Sequence, residues 1–262
     1  MKNRPYILTI AGFDPSNGAG LTADIKTIEA LKGYGLSVCT ANTVQNDVEF
    51  KACHWTAVEV IKSQIELLYD RFDIGVVKIG IVQDWKILND IIDVLLKINP
   101  EVKIVLDPIL RSSSDFDFHS PNINSSNPDK NQNSTEILFD EILEKIYLVT
   151  PNYQEIEKLY NGKSIEETID HISAKTNMFL KGGHRKEDIG KDELFIKKGK
   201  RFLLNPKGQN ISEKHGSGCV ISSAIATNIA LGFPLLKACF KAKRYTEKVL
   251  SSNKTLLGYH RI

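Results

Sequence analysis

"YILTIAGFDPSNGAGLTADIKT", Tyr6 to Thr27, decides the fold. A β-rich apolar run, Tyr6 to Gly12, gives way to a turn in which Gly12, Gly18 and Gly20 bracket Asp14, and a helical period follows from Leu21. Strand, glycine-rich turn and helix in that order make the first half of a βαβ unit. The turn matches neither G-x-G-x-x-G nor the pattern ending Gly-Lys-Ser/Thr, so generic dinucleotide and P-loop readings fail on spacing. Taken alone, it is either a ligand-facing loop or a tight turn that packs a helix closely on its strand.

The same alternation continues outward. Tyr6 to Gly12, Leu36 to Asn42, Gly75 to Gly80, Val102 to Asp107, Ile146 to Thr150 and Asn177 to Gly182 read as buried strands. Between them, Leu21 to Lys32, Thr56 to Phe72, Trp85 to Ile98 and Glu136 to Lys145 space apolar residues three and four apart, as helices covering a sheet do. "DELFIKKGKRFLLN", Asp192 to Asn205, breaks this rhythm as an antiparallel hairpin at a sheet edge. Two helices, about Ser217 to Leu231 and Pro234 to Ser252, then close one α/β domain spanning 1–262 with a mostly parallel sheet. Ser112 to Ser134, rich in Ser, Asn, Asp and Pro, reads as a polar loop, either a lid or a solvated excursion.

The 262 residues suffice for one sizeable core, and 34 basic against 32 acidic residues leave a formal charge of +2. Nothing in that balance asks for nucleic acid or an anionic membrane surface, so a small-molecule partner is expected. Cys39, Cys53, Cys219 and Cys239 show no metal-site or redox spacing, and no apolar run is long enough to span a bilayer. The expected setting is reducing and cytoplasmic.

In an open parallel sheet, functional groups belong at the carboxyl ends of the strands. Asp14, Gln45, Asp107, Asn152 and Glu155 all fall there. Asp107 and Glu155 could hold Mg²⁺ through water; otherwise Asp107 is a turn residue before Pro108 and Glu155 a first-turn helix carboxylate. "HGSGC", His215 to Cys219, leads into a helix whose first amides are unpaired, so Gly216, Ser217 and Gly218 form a potential anion cradle, with Lys181 a basic neighbour. Cys219 at that helix N-terminus should favour thiolate, or be only a small buried packing residue.

Together, "IAGFDPSNGAGLTADIKT", "TVQN", "VKIG", "VLDP", "TPNYQE", "LKGGH" and "HGSGC" resemble, in order and almost end to end, the hydroxymethylpyrimidine/phosphomethylpyrimidine kinases of the ribokinase-like superfamily. The resemblance implies a three-layer fold, ATP and Mg²⁺ as cofactors, and phosphorylation of 4-amino-5-hydroxymethyl-2-methylpyrimidine and its monophosphate in thiamine biosynthesis. It implies that Asp14 to Gly20, Val44, Gln45 and Ile81 line the pyrimidine pocket, and that Asn152, Gly183 and Lys181, with Ser217, bind ATP phosphates. Asp107 and Glu155 would organise Mg²⁺, Gly216 to Gly218 would bind developing phosphate charge, and Cys219 would face the substrate hydroxyl. It also implies a homodimer. Ser217 stands where the family usually has Thr, and Ile81 where it usually has Met. The alternatives are a cysteine-bearing pyridoxal or pyridoxine kinase and a non-catalytic regulator that binds a pyrimidine or nucleotide.

Overall fold

Strand β1 (Tyr6–Phe13) sends Leu8 and Ile10 into one apolar cluster and Ile7 into another. The alternation is the period of two expected of a strand with helices on both faces. Strands β2 (Tyr34–Gln45) and β4 (Ile74–Ile79) flank β1 in parallel. Strands β5 (Lys103–Leu106), β6 (Leu148–Val149) and β7 (Asn177–Leu180) continue the parallel run. Antiparallel strands close both edges: β3 (Phe50–Trp55) on β2, then β8 (Asp192–Phe195) and β9 (Arg201–Leu204) beyond β7. The nine-stranded order is β3-β2-β1-β4-β5-β6-β7-β8-β9. The structure is a computed structural model that describes residues 4–110, 128–183 and 189–260.

Helices α2 (Val58–Tyr69), α3 (Trp85–Ile98), α4 (Pro128–Lys145), α5 (Tyr153–Leu159) and α6 (Ile165–Lys175) cover the face of Leu8, Ile10, Ile104 and Leu106. Helices α1 (Gly20–Ala30), α7 (Ser217–Ala230) and α8 (Leu235–Leu250) cover the face of Ile7, Val105 and Phe179. This is a three-layer ribokinase-like arrangement. Each fully buried Ile or Leu in either cluster is worth about 1.5–3 kcal/mol, so both faces contribute to stability. Helix α3 opens on Asp84, whose side chain accepts from the Ile87 amide at 2.8 Å.

The order runs outward from β1 in both directions, to β2 and to β4, which creates the crevice where open α/β sheets bind ligands. All six parallel strands, the edge hairpin and both closing helices stand where the residue patterns placed them. Strand β3 and helix α6 were not anticipated, and α5 only through Glu155, read as a possible first-turn helix carboxylate. The strand pairs through a short turn in which Asn46 Oδ1 accepts from the Val48 and Glu49 amides at 2.9 and 2.8 Å. Of the polar stretch read as a loop or lid, residues 112–127 lie outside the described residues. The chain is already helical from Pro128, a residue whose fixed φ suits the first helical position. All four cysteines carry free thiols, and among the described residues no helix is long and apolar enough to cross a membrane.

Candidate active site

A cavity of about 710 Å³ opens over the carboxyl ends of β1, β4, β5 and β7. Its base is built by α7. Gly216, the residue preceding that helix, has φ +75°, and a Cβ there would lie 2.1 Å from the Gly18 carbonyl oxygen, so only glycine fits. The Val220 amide already pairs with the Gly216 carbonyl at 3.0 Å. Among the described residues, the Gly218 and Cys219 amides have no hydrogen-bond acceptor. They are donors at the positive end of a 14-residue helix. A Cβ on Gly218 would sit 3.4 Å from Lys181 Nζ and 3.8 Å from Asp107 Oδ2, so the missing side chain leaves room between the amides and these charged groups.

Lys181 joins the helix to the acidic side of the cavity. An isolated parallel bridge to Asn152 and a 2.8 Å bond from the Lys181 amide to the Pro151 carbonyl align it beside α5. Its ammonium lies 2.6 Å from Asp107 Oδ1 and 3.7 Å from Glu155 Oε2. Asp107 also accepts from Thr150 Oγ1 and Ser222 Oγ, both at 3.2 Å. Glu155 and Asn152 form a reciprocal capping box: the Asn152 amide donates to Glu155 Oε2 at 2.7 Å, and the Glu155 amide donates to Asn152 Oδ1 at 2.8 Å. Burial pushes the Glu155 carboxyl up to about 7 despite the opposing Lys181 charge, with Asp107 adding to the rise. Burial works against the Lys181 ammonium, yet Asp107 and Glu155 outweigh it and hold its pKa above the ordinary lysine value. The capping role read for Glu155 and its place at the cavity are therefore both real, and both are carried by Oε2, which accepts from the Asn152 amide and faces the Lys181 ammonium.

Cys219 is buried at the cavity floor, where the Gly20 amide at the start of α1 favours its ionised form. Its helix position alone suggests a favoured thiolate. Burial reverses that expectation and pushes the thiol up to about 11, because the loss of water outweighs the Lys78 charge and the Gly20 amide.

Gln45, Gly20, Ile81, Asn152, Asp107, Glu155, Lys181 and the whole segment Gly216 to Cys219 line this cavity. Gln45 Nε2 donates to Thr43 Oγ1 at 2.9 Å. Three expected site residues stand elsewhere. Asp14 is fully buried and turned inward, where its carboxylate accepts from the Gly18 and Ala19 amides, Ser16 and His215 Nε2. Every one of those donors competes with a ligand, so Asp14 shapes the turn and does not line the pocket. Val44 points to the opposite side of β2 from Gln45 and is 47% exposed, as strand alternation requires. Gly183 is outside the lining, and His184 lies outside the described residues. Residues to which the sequence assigned no role also face the cavity, among them Lys78 and His215, which stand inside quoted motifs, and Leu256. Lys78 had a legible signal, a lysine inside the otherwise apolar strand "GVVKIG".

A ribokinase-like fold whose strand ends carry an open anion cradle, a carboxylate-flanked lysine and a buried thiol defines a small-molecule phosphotransferase. The chain belongs to the phosphomethylpyrimidine kinase family, whose model matches residues 14–261. It is 34% identical over 263 residues to the hydroxymethylpyrimidine/phosphomethylpyrimidine kinase of Aquifex aeolicus, covering 96% of this chain and 97% of that protein. It is 30% identical to the probable thiamine biosynthetic bifunctional enzyme, chloroplastic, of Oryza sativa subsp. japonica, matching 97% of this chain but spanning only 45% of that longer protein. The crystal structure of the Clostridium difficile phosphomethylpyrimidine kinase is similar with a TM-score of 0.74 and 30% identity, covering 93% of this chain and 98% of that one. The Staphylococcus aureus pyridoxal kinase shares the fold at a TM-score of 0.78 and 23% identity, over 95% of this chain and 89% of that one.

Proposed function

We propose that the protein transfers phosphoryl groups from ATP, first to the hydroxyl of 4-amino-5-hydroxymethyl-2-methylpyrimidine and then to the resulting monophosphate, in thiamine biosynthesis. The observation that carries this reading is the convergence, on one cavity, of the unpaired Gly218 and Cys219 amides, the Lys181 ammonium and the Cys219 thiol. Phosphoryl transfer through a loose transition state needs positioned donors for charge on the moving group more than it needs covalent chemistry. The two amides and Lys181 supply those donors. Cys219 orients the attacking hydroxyl and accepts its proton in the ionised form. Gln45 binds the heterocycle's polar edge, and Ile81 packs on its ring.

Asp107 and Glu155 suit Mg²⁺, since the donor set is hard oxygen. Lys181 lies between them, which favours an ion held through its own waters and phosphate oxygens over direct capture by both carboxylates. Bound there, Mg²⁺ would neutralise charge on the phosphates. The reading includes a cytoplasmic homodimer, in which the exposed Phe13, Val44 and Val48 beside β3 would be covered.

The fold shared with pyridoxal kinase makes pyridoxal the competing substrate. Mass analysis after incubation with Mg·ATP and either heterocycle separates the two. The expected result is mono- and then diphosphorylated pyrimidine. Pyridoxal phosphate as the main product would move the assignment to the pyridoxal kinases, and no product from either would leave a binding protein.

A further inference from the structure

Beneath Cys219 lies a charged cluster that none of the steps above uses. Lys78, in β4, is fully buried, and its ammonium donates to Asp24 Oδ2 at 2.7 Å. Asp24, on α1, is equally buried and also accepts from Thr9 Oγ1 at 2.6 Å and Ser223 Oγ at 2.5 Å. Four elements therefore meet there: β1, α1, β4 and α7. Ser223 is one helical turn beyond Cys219.

A buried ion pair is a weak source of stability, because desolvation of the two charges offsets much of their attraction. Apolar residues of similar volume would serve a purely structural purpose as well. The pair also has a direction. The Asp24 carboxylate is surrounded by donors, whereas the Lys78 ammonium has a single acceptor among the described residues and lines the floor of the cavity. Gly80 leaves the space above it open, since a Cβ there would lie 2.9 Å from Lys78 Nζ. The cluster thus turns its positive end toward the site.

We infer that Lys78 is a positioning residue that acts through Cys219: anchored by Asp24, it supplies the fixed positive charge against which the sulfur becomes anionic at the floor of the cavity. The groups that act on this sulfur are Lys78 from β4, Asp24 and the Gly20 amide from α1, Asp107 beyond β5, and Lys181 beyond β7. Burial and the two carboxylates oppose the anion, and Lys78 is the largest influence on the favourable side. The inference deepens the kinase reading above, because that reading gives the thiol its task.

The test is the rate at which iodoacetamide alkylates Cys219, followed by peptide mass mapping at several pH values, in three variants with melting temperatures measured alongside. Lys78→Met should slow alkylation about tenfold, the equivalent of one pKa unit. Asp24→Asn, which keeps the ammonium and removes its counter-charge, should speed it. A structural role would loosen the site in both variants and move both rates the same way. Rates that move together, or do not move, overturn the inference. If either single variant fails to fold, the neutral pair Lys78→Met with Asp24→Asn decides: a slowed rate supports the inference, and an unchanged or faster rate overturns it. Opposite shifts in alkylation with kcat unchanged would uphold the electrostatic role and remove Cys219 from the chemistry, so the two readings fail separately.

Discussion

Asp14 and Asp107 stand at corresponding places, each just beyond the carboxyl end of a parallel strand and each buried, yet the chain uses them oppositely. Around Asp14 the backbone closes: the Ser16, Gly18 and Ala19 amides, the Ser16 hydroxyl and His215 take up the carboxylate, tying the glycine-rich turn to the segment before α7. Burial raises the Asp14 carboxyl, but the His215, Ala19 and Ser16 bonds outweigh it and hold its pKa below the usual value. Around Asp107 the partners are side chains from other elements, Lys181, Thr150 and Ser222, and the carboxylate remains part of the cavity wall. A strand-end carboxylate is a scaffold where its own turn supplies the donors, and part of a site where distant elements do.

The largest effects should come from the open side. Gly218→Val would place a branched side chain against Lys181 and Asp107 and block the unpaired amides. Steady-state kinetics should show a loss in kcat larger than that of Cys219→Ala, for which about 10²- to 10⁴-fold is expected of a positioned acid–base group. The melting temperature of Cys219→Ala should change little beside that loss. Full activity in Cys219→Ala would reduce the thiol to packing and leave the chemistry to the amides and Lys181.

The comparison itself is tested by the same substitution at both places. Asp107→Asn should lower kcat about 10²-fold or more, the scale of losing one electrostatic contact at a phosphoryl site, with a modest change in stability. Asp14→Asn should do the reverse. Its new amide faces donors where it needs acceptors, at a cost of about 3 kcal/mol, while the folded fraction retains its turnover. Urea unfolding and kcat measured on each variant separate the two. Equal loss of activity at both positions would remove the distinction.

This contrast also marks how far the sequence could be read. The parallel strands were legible because β-branched and apolar runs such as "VKIVLD" are short and bounded. The cradle was legible because glycine spacing before an apolar helix has few other uses. Asp14 was misplaced for a physical reason: whether a turn carboxylate faces its own amides or the solvent depends on φ/ψ values, such as the +60° of Asn17, that the letters do not display. Strand β3 was missed because "FKACHW" is half exposed and weakly alternating, and it forms only through pairing with β2. The His215 contribution depends on a contact across 201 positions and leaves no local pattern.

A smaller effect is expected at Gln45, which reaches the cavity from the hairpin that the Asn46 turn shapes. Gln45→Leu would leave polar groups of the heterocycle unpaired, a loss of about 1–3 kcal/mol. Initial-rate measurements should show the KM for the pyrimidine rising while that for ATP stays near its original value. Equal small changes in both would place Gln45 outside the substrate pocket.

The smallest effect is a difference in sign between the two sides of the comparison. Glu155 has its folded pKa raised to about 7, mainly by burial, so the unfolded chain gives up this proton at lower pH than the folded one does. Stability from this group is fully present below its unfolded value of 4.5 and is lost as pH rises from there through about 7. Asp14 runs the other way: its folded pKa is depressed, so its contribution is complete above the ordinary value of 3.8 and is lost only as pH falls below it. Thermal melts in metal-free buffer at about pH 5 and about pH 8 bracket the Glu155 window alone. Glu155→Gln keeps an acceptor for the Asn152 amide but cannot ionise, so the decline in melting temperature between those two pH values should shrink relative to the parent protein. Asp14→Asn should lower the melting temperature at both values without changing the difference between them. If Glu155→Gln leaves the difference intact, the carboxyl beside Lys181 is ionised throughout, and the acidic side of the cavity carries one more negative charge at neutral pH than its burial suggests.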